Sequence, residues 1–273
     1  MTLFPNAKIN IGLNITARRP DGYHDLETVF YPIPLHDTLT VKHADDGTFR
    51  LQMSGTPIEG NPDDNLVSRA YRLLQQEFPE RVVPVHIDLV KTIPTGAGLG
   101  GGSADAAYTL CAVNTLCQLQ LTPQQLEERA ATLGADCPFF IQNQPVFATG
   151  IGNIFHPISL SLHGRTLVLI KPSVAISTRE AYSAVRPQQP AQPLTALIAQ
   201  PIEQWRTTVV NDFEASVFPL YPEVAAIKQR LYDLGALYAS MSGSGSSVYG
   251  IFSSPIANIN TMFPDTFCFQ HTL

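Results

Sequence analysis

Little in this chain can hold it together covalently. It has four cysteines, Cys111, Cys117, Cys137 and Cys268, and no two of them form a Cys-x-x-Cys pair. The common zinc spacings are therefore excluded and a disulfide framework has no support, so a reducing, cytoplasmic setting is expected. Charge is scarce as well: Asp, Glu, Lys and Arg make up 15% of the residues, with a net charge of −6. A protein that grips nucleic acid by its phosphates is expected to show a basic excess, so nucleic acid is not an expected partner. No apolar run approaches the ~20 residues of a membrane helix, and no membrane association is expected. The opening residues, Met1-Thr2-Leu3-Phe4-Pro5-Asn6, lack the basic region and apolar run of a secretory leader. What is plentiful is hydrophobic residue, 44% of 273. That is enough for a full core in one large domain or two ordinary ones.

One stretch is a poor way to build such a core. Pro94-Thr95-Gly96-Ala97-Gly98-Leu99-Gly100-Gly101-Gly102-Ser103-Ala104 holds five glycines within seven residues. Glycine loses more backbone freedom on ordering than any other residue, so such a run marks a sharp turn or a close approach to a ligand. Before it, Val85, Ile87 and Leu89 alternate with His86, Asp88 and Val90 as a strand; after it a helix is expected from near Ser103. Strand, glycine loop and helix start together describe an anion cradle of free N–H groups at the positive end of a helix dipole. A phosphate-binding loop is the first reading.

Along the rest of the chain, Ala7, Ile9, Ile11, Leu13 and Ile15 alternate with Lys8, Asn10, Gly12 and Asn14 as a half-buried strand. Its polar face is as readily a solvated face as a functional one. Arg18–Gly22 reads as a turn, and the aromatic-rich Tyr23–Tyr31 follows. There Tyr23 and His24 suit ligand contact, although a lone histidine is more often structural. Strands are expected at Thr38–Lys42 and Phe49–Met53, joined by the polar turn Asp45–Gly47, and a helix over Leu66–Phe78. Thr122, Pro123 and Gln125 spell a capped helix start, and Gly134 its end. Asp136 then stands between a helix end and the apolar Cys137–Phe140. It is either a capping or turn residue or a carboxylate held at the edge of a core. After a glycine-containing strand at Val146–Ile154 the rhythm changes. A strand at Thr166–Lys171, a Pro/Gln-rich loop at Pro187–Pro193, and helices at Arg206–Val217 and Pro222–Leu234 come first. Strands at Leu237–Met241 and Val248–Phe252, a short helix at Ile256–Met262 and a strand at Phe267–His271 follow. This order resembles a ferredoxin-like arrangement. The domain boundary is placed near residue 155, giving domains 1–155 and 156–273.

Gly96-x-Gly98-x-x-Gly101 spells the dinucleotide fingerprint, but Leu116–Leu121 lacks the acid that a Rossmann unit wants about 20 residues on. No Gly-Lys-Ser/Thr ends the loop, and no His-Arg-Asp or Asp-Phe-Gly set is present, which removes the Walker and protein-kinase readings. The loop Pro94-x-x-x-Gly98-Leu99-Gly100-Gly101-Gly102-Ser103-Ala104 instead resembles the ATP loop of the GHMP small-molecule kinases. Asn6-Ala7-Lys8-Ile9-Asn10-Ile11-Gly12-Leu13 is similar to that superfamily's N-terminal motif, and Ser240-Met241-Ser242-Gly243-Ser244-Gly245-Ser246-Ser247 to its C-terminal one. Asp21–Leu26 with Thr28-Val29-Phe30, Asn65-Leu66, Gly134–Phe140 and Asn211-Asp212-Phe213-Glu214 resemble one branch in particular. Its substrate is a methylerythritol carrying cytidine diphosphate, in the non-mevalonate route to isoprenoids.

The resemblance implies an α+β, two-domain GHMP kinase fold. Its N-terminal ATP-binding domain would be ribosomal protein S5 domain 2-like and its C-terminal domain ferredoxin-like. It implies transfer of the γ-phosphoryl of ATP to the substrate's 2-hydroxyl, with Asp136 as general base and Lys8 as its charged partner. The residues Pro94 to Ala104 would seat the ATP, with Asn65, Leu66 and Lys91 near the adenosine. Asn10 and His24 would hydrogen-bond the substrate, Tyr23, Phe30 and Tyr182 would hold the cytosine, and Thr178 and Gly243 would lie close by. Magnesium is expected with the nucleotide, with no protein ligand assigned to it. These roles suit phosphoryl transfer, which depends on positioning, neutralised phosphate charge and one carboxylate to take the proton. Asp105 departs from the pattern, standing where an uncharged amide is expected. A carboxylate early in a helix suits the dipole, but it repels phosphates if it faces them, so it is expected to point away. Two other readings are another GHMP kinase, of the homoserine or mevalonate type, and a nucleotide binder without catalysis. Tyr23-His24 speaks against the former, and the presence of both Lys8 and Asp136 against the latter.

Overall fold

The computed structural model describes residues 1–57 and 61–273. In chain order its strands are β1 (Thr2–Leu3), β2 (Asn6–Arg18), β3 (His24–His36), β4 (Thr38–His43), β5 (Arg50–Gly55), β6 (Val85–Lys91), β7 (Val146–Thr149), β8 (Ile154–Pro157), β9 (Thr166–Lys171), β10 (Tyr238–Met241), β11 (Val248–Phe252) and β12 (Phe267–Thr272). The chain forms two compact units. The first comprises Met1–Ala7, Leu35–Thr95 and Gly100–Gln144, the second Lys8–Pro34, Gly96–Leu99 and Pro145–Leu273. The expected cut at residue 155 is therefore not where the compact units divide. The strands β2 and β3 are long enough, at 13 residues each, that most of both is counted with the second unit although they lie near the N-terminus.

The first unit is built on the sheet β1-β4-β6-β5, with helices α1 (Leu66–Glu77), α2 (Gly101–Leu116), α3 (Pro123–Leu133) and the short α4 (Phe139–Gln142). Alternation sets its inner face: Leu39 and Val41 of β4 pair with Leu89 and Ile87 of β6, and Leu74, Leu110 and Val113 of the helices join the same core. The expected strands around Asp45–Gly47 are present but are not hairpin partners. The strand β6 lies between them, antiparallel to β4 and parallel to β5. A parallel pair needs a crossover, which α1 supplies. Thr122 caps α3 as its sequence predicts. Its hydroxyl accepts from Gln125 N at 3.3 Å, and Gln125 Oε1 accepts from Thr122 N at 2.9 Å.

The second unit holds the sheets β2-β3-β7-β8 and β10-β11-β9-β12. In the latter every neighbouring pair is antiparallel, which is the ferredoxin-like strand order expected from the sequence. The helix Pro222–Asp233 covers it, with Val224, Ile227 and Leu231 sharing a core with Val168, Ile170 and Val248. The stretch Val146–Ile154 is not one strand but the start of a hairpin of β7 and β8, with Gly150 and Gly152 in its turn. Among the described residues no helix is long and apolar enough to cross a membrane.

The helix expected over Arg206–Val217 is broken into Trp205–Thr208 and Phe213–Val217. Between them Leu13 N donates to Val210 O, and Asp212 N to Leu13 O, both at 2.8 Å. Asn211 Nδ2 donates to Met241 O at 2.8 Å and Gly243 O at 2.9 Å, and Asp212 Oδ2 accepts from Ile15 N at 2.7 Å. Short polar side chains that bond neighbouring backbone compete with helix formation, and here they tie the break to β2 and to the end of β10. Replacing Asn211 by Ala removes a donor from two buried carbonyl oxygens, of which that of Met241 keeps the Ser240 hydroxyl at 3.3 Å, and is expected to cost about 1–3 kcal/mol. Urea denaturation followed through Trp205 measures this, and an unchanged midpoint would remove Asn211 from the role.

Candidate active site

The residues of β2 were weighed as having a polar face open to water. That face is closed: Lys8 is 4% exposed and Asn10 2%. Burial obliges each polar atom to find a partner. Lys8 Nζ donates to Asn10 Oδ1 at 2.6 Å and to Gly98 O at 3.2 Å, and lies 4.8 Å from the centre of the Phe30 ring. Asn10 Nδ2 donates to Thr28 Oγ1 at 3.0 Å, and Thr28 in turn donates to Gly12 O at 2.5 Å. The backbone of Asn10 is held too, its N–H by Ser242 Oγ at 3.2 Å and its carbonyl by the Tyr249 hydroxyl at 2.8 Å. Ser242 Oγ also donates to Gly98 O at 2.9 Å. The N-terminal motif, the front half of the glycine loop and the C-terminal motif thus meet in the second unit. Gly98 has φ +75°, and a Cβ there would fall on the Ser242 carbonyl, while one on Gly243 would come within 3.3 Å of the Gly98 backbone. Sequence reading supplied Lys8, Asn10, Gly98 and Gly243. It assigned no role to Thr28, Ser242 or Tyr249, of which Thr28 and Ser242 stand inside quoted motifs and Tyr249 does not.

The rear half of the glycine loop belongs to the first unit. Gly100 adopts the left-handed conformation as N-cap of α2 and offers no side-chain cap. The N–H groups of Gly101, Gly102 and Ser103 therefore have no cap from their own helix, and Gly102 is exposed. This is the donor arrangement a phosphate group fits. Asn65 caps α1, its Oδ1 accepting from Val67 N at 2.9 Å, and Leu66 Cδ1 lies 3.9 Å from where a Gly102 Cβ would sit.

Lys91 differs from the sequence expectation. Its ammonium is buried and ion-paired to Asp37 and, at 2.7 Å, to Asp105. Its ammonium is committed to these two carboxyl groups inside the unit. Asp105 faces Lys91 and Asp37 from one turn inside α2. Nothing in the sequence marked Asp37, which is 54 residues from Lys91.

Asp136 lies in the turn between α3 and α4, half-buried beside the buried Cys137. Among the expected cytosine contacts, Tyr23 is 60% exposed. His24 stacks on Tyr182 with centroids 4.8 Å apart, and Tyr182 meets the edge of Phe213. Phe30 is buried in β3 with Lys8 over its ring. Thr178 begins the helix Thr178–Ser183, its hydroxyl 3.5 Å from that of Ser244. No group of three or more His, Cys, Asp or Glu side chains able to hold a metal occurs among the described residues.

Gly98→Ala is expected to lower Tm far more than Gly96→Ala. At Gly96 an added Cβ meets nothing within 4 Å, leaving only the left-handed backbone penalty of about 1–2 kcal/mol. Equal Tm values for the two variants would contradict the close packing at Gly98.

Comparison with known proteins agrees with this geometry. Residues 65–150 match the GHMP kinases N-terminal domain and residues 194–260 the GHMP kinases C-terminal domain. A protein of Bacteroides fragilis named 4-diphosphocytidyl-2-C-methyl-D-erythritol kinase is 56% identical over 100% of both chains. One of the same name from Bacteroides thetaiotaomicron is 52% identical, again over 100% of both. A crystal structure of 4-(cytidine 5'-diphospho)-2C-methyl-D-erythritol kinase superposes with a TM-score of 0.84 at 32% identity, covering 99% of this chain and 98% of that one. The chain belongs to the GHMP kinase family of small-molecule kinases.

Proposed function

We propose that this chain transfers the γ-phosphoryl group of ATP to the 2-hydroxyl of 4-diphosphocytidyl-2-C-methyl-D-erythritol. The observation that carries a kinase reading is the convergence of Lys8, Ser242 and Gly243 on the Gly98 backbone, in a loop that leads along the chain into a helix start whose N–H groups lack a side-chain cap. The choice of substrate is supported by the full-length relatives that bear that kinase's name.

When bound, ATP supplies the phosphoryl group and a stable leaving group, and the chain's residues supply position and charge. The N–H groups at the start of α2 hold phosphate oxygens. The Lys8 ammonium, fixed by Asn10 Oδ1 and Gly98 O, neutralises charge that develops as the phosphoryl group moves. Asp136 accepts the proton of the 2-hydroxyl as its oxygen bonds to phosphorus, while the bond from that phosphorus to the bridging oxygen of ADP breaks. Magnesium, when bound with the nucleotide, would neutralise phosphate charge and needs no all-protein cage; no side chain is assigned to it. Tyr23 and Tyr182 offer flat faces for the cytosine, and His24, stacked on Tyr182, offers ring nitrogens for a hydrogen bond to the substrate.

The test is ADP release from magnesium-ATP with the diphosphocytidyl alcohol, homoserine and mevalonate in turn. Release with the first alone is expected, and release only with homoserine or mevalonate would sink the assignment. Asp136→Asn is expected to lower kcat by about 100- to 10,000-fold while a nucleotide analogue still binds. Wild-type turnover in that variant would remove Asp136 as the base.

A further inference from the structure

The glycine loop needs its stems fixed, because glycine loses more backbone freedom on ordering than any other residue. In the first unit one buried cluster touches both. Asp37, 0% exposed, sits at the junction of β3 and β4. Its Oδ1 accepts from Thr92 N at 2.6 Å and Ile93 N at 2.8 Å, fixing the chain as it leaves β6 for the loop. Its Oδ2 accepts from Lys91 Nζ, and the same ammonium donates at 2.7 Å to Asp105 Oδ2 on α2, the helix that leaves the loop. Contact is close along the whole seam. A Cβ on Gly101 would stand 2.9 Å from Ile93 Cγ2 and 3.4 Å from Lys91 Nζ.

The cluster holds more acid than base. Two carboxyls share one ammonium, and Asp105 Oδ1 is buried without a hydrogen-bond partner. The charged groups facing Asp105 are Lys91 from β6 and Asp37 from the β3–β4 junction. Burial pushes the Asp105 carboxyl up to about 7, with Asp37 adding to the rise and Lys91 opposing it. With a proton on Asp105 the cluster is neutral; without it, one uncompensated negative charge lies a turn below the N–H groups of α2.

We propose that Asp105 is a positioning residue of the phosphate seat, locking the start of α2 to the β6 exit through Lys91 and Asp37. The inference rests on the reading of that helix start as the nucleotide site. Its consequence is that nucleotide affinity depends on the charge of a group that touches no ligand. As pH rises through about 7 the buried charge appears, and it repels phosphate. Affinity then falls while the chemistry, carried by other residues, continues.

The test measures equilibrium binding of the β,γ-imido analogue of ATP with magnesium, from pH 6 to 8.5, for wild type, Asp105→Asn and Asp105→Ala. Each Kd is expressed for the fully ionised analogue, whose own titration is measured separately. Wild-type Kd is expected to rise about 3- to 10-fold across this range. Asp105→Asn keeps the shape and the link to Lys91, and its Kd is expected to stay flat. Asp105→Ala loses that link and is expected to bind about 10-fold more weakly at every pH. In turnover KM for ATP should carry these changes, with kcat within about 2-fold.

Thermal denaturation gives a second readout. The unfolded carboxyl loses its proton near pH 4 and the folded one near 7, so wild type loses stability relative to Asp105→Asn as pH rises between those values, and the gap is constant above. The same pH dependence of Kd and Tm in wild type and Asp105→Asn would overturn the inference, as would wild-type affinity in Asp105→Ala. A wild-type protein that binds the analogue but does not phosphorylate the diphosphocytidyl alcohol would overturn the proposed substrate and leave this inference standing.

Discussion

The carbonyl oxygen of Gly98 accepts hydrogen bonds from Lys8 Nζ and from Ser242 Oγ, and much of the second unit is arranged so that it can. A glycine-rich loop has little enthalpy of its own to offset the entropy lost on ordering. Its conformation has to be imposed by neighbours, and here the imposition is on backbone. The Gly98 α-carbon lies against Ser242 and Gly243 with no room for a side chain. The Ser242 hydroxyl bridges that loop to the N–H of Asn10, and the Tyr249 hydroxyl holds the carbonyl of the same residue. Asn211 fixes the carbonyls of Met241 and Gly243 on the other side. Each bond satisfies an atom that would otherwise be buried without a partner, which is costlier than the bond is worth by itself. The network is therefore sensitive to the loss of any one member.

In the first unit the opposite half of the loop is held by charge rather than by hydroxyls and amides. A buried ammonium between two carboxylates is expensive to desolvate and worth keeping only where its geometry is used. Here the geometry serves three backbone segments at once: the β3–β4 junction, the exit of β6 and the first turns of α2. Replacing it with apolar packing could fill the space. It would not supply the acceptor that the N–H groups of Thr92 and Ile93 find in Asp37.

How much of this the sequence disclosed follows from what each signal measures. Alternation reports which residues share a face, so β2 and β6 are legible. It says nothing of what covers the other face, and Lys8 and Asn10 read as solvated as readily as buried. Capping chemistry is local, and the Thr122 box was found as spelled. The helix over Arg206–Val217 failed because its apolar spacing is helical while Asn211 and Asp212 spend their side chains on β2 and the end of β10. Those partners are remote in sequence. Lys91 was placed by likeness to a motif, which carries position along the chain but not the direction of the side chain. Its partner Asp37 has no neighbour in sequence that marks it. The boundary at residue 155 was a cut in one dimension, whereas β2 and β3 are counted chiefly with residues more than a hundred positions away.

Asp105 shows why an unexpected residue type is worth following into the core. Early in a helix a carboxylate is ordinarily explained by the helix dipole, and at the surface that explanation would suffice. At 2% exposure it does not, because the dipole is worth well under the cost of burying an unneutralised charge. The site must then supply a counter-charge, a proton or both. Lys91 is already shared with Asp37, so the counter-charge is incomplete and a proton makes up the difference. An amide at this position would need neither. The acid therefore costs stability that an amide would not, and what it adds is a charged acceptor for Lys91 on the helix that carries the anion-binding N–H groups. The loop's two stems are held by one ammonium, and the net charge of that clamp is set by a single proton.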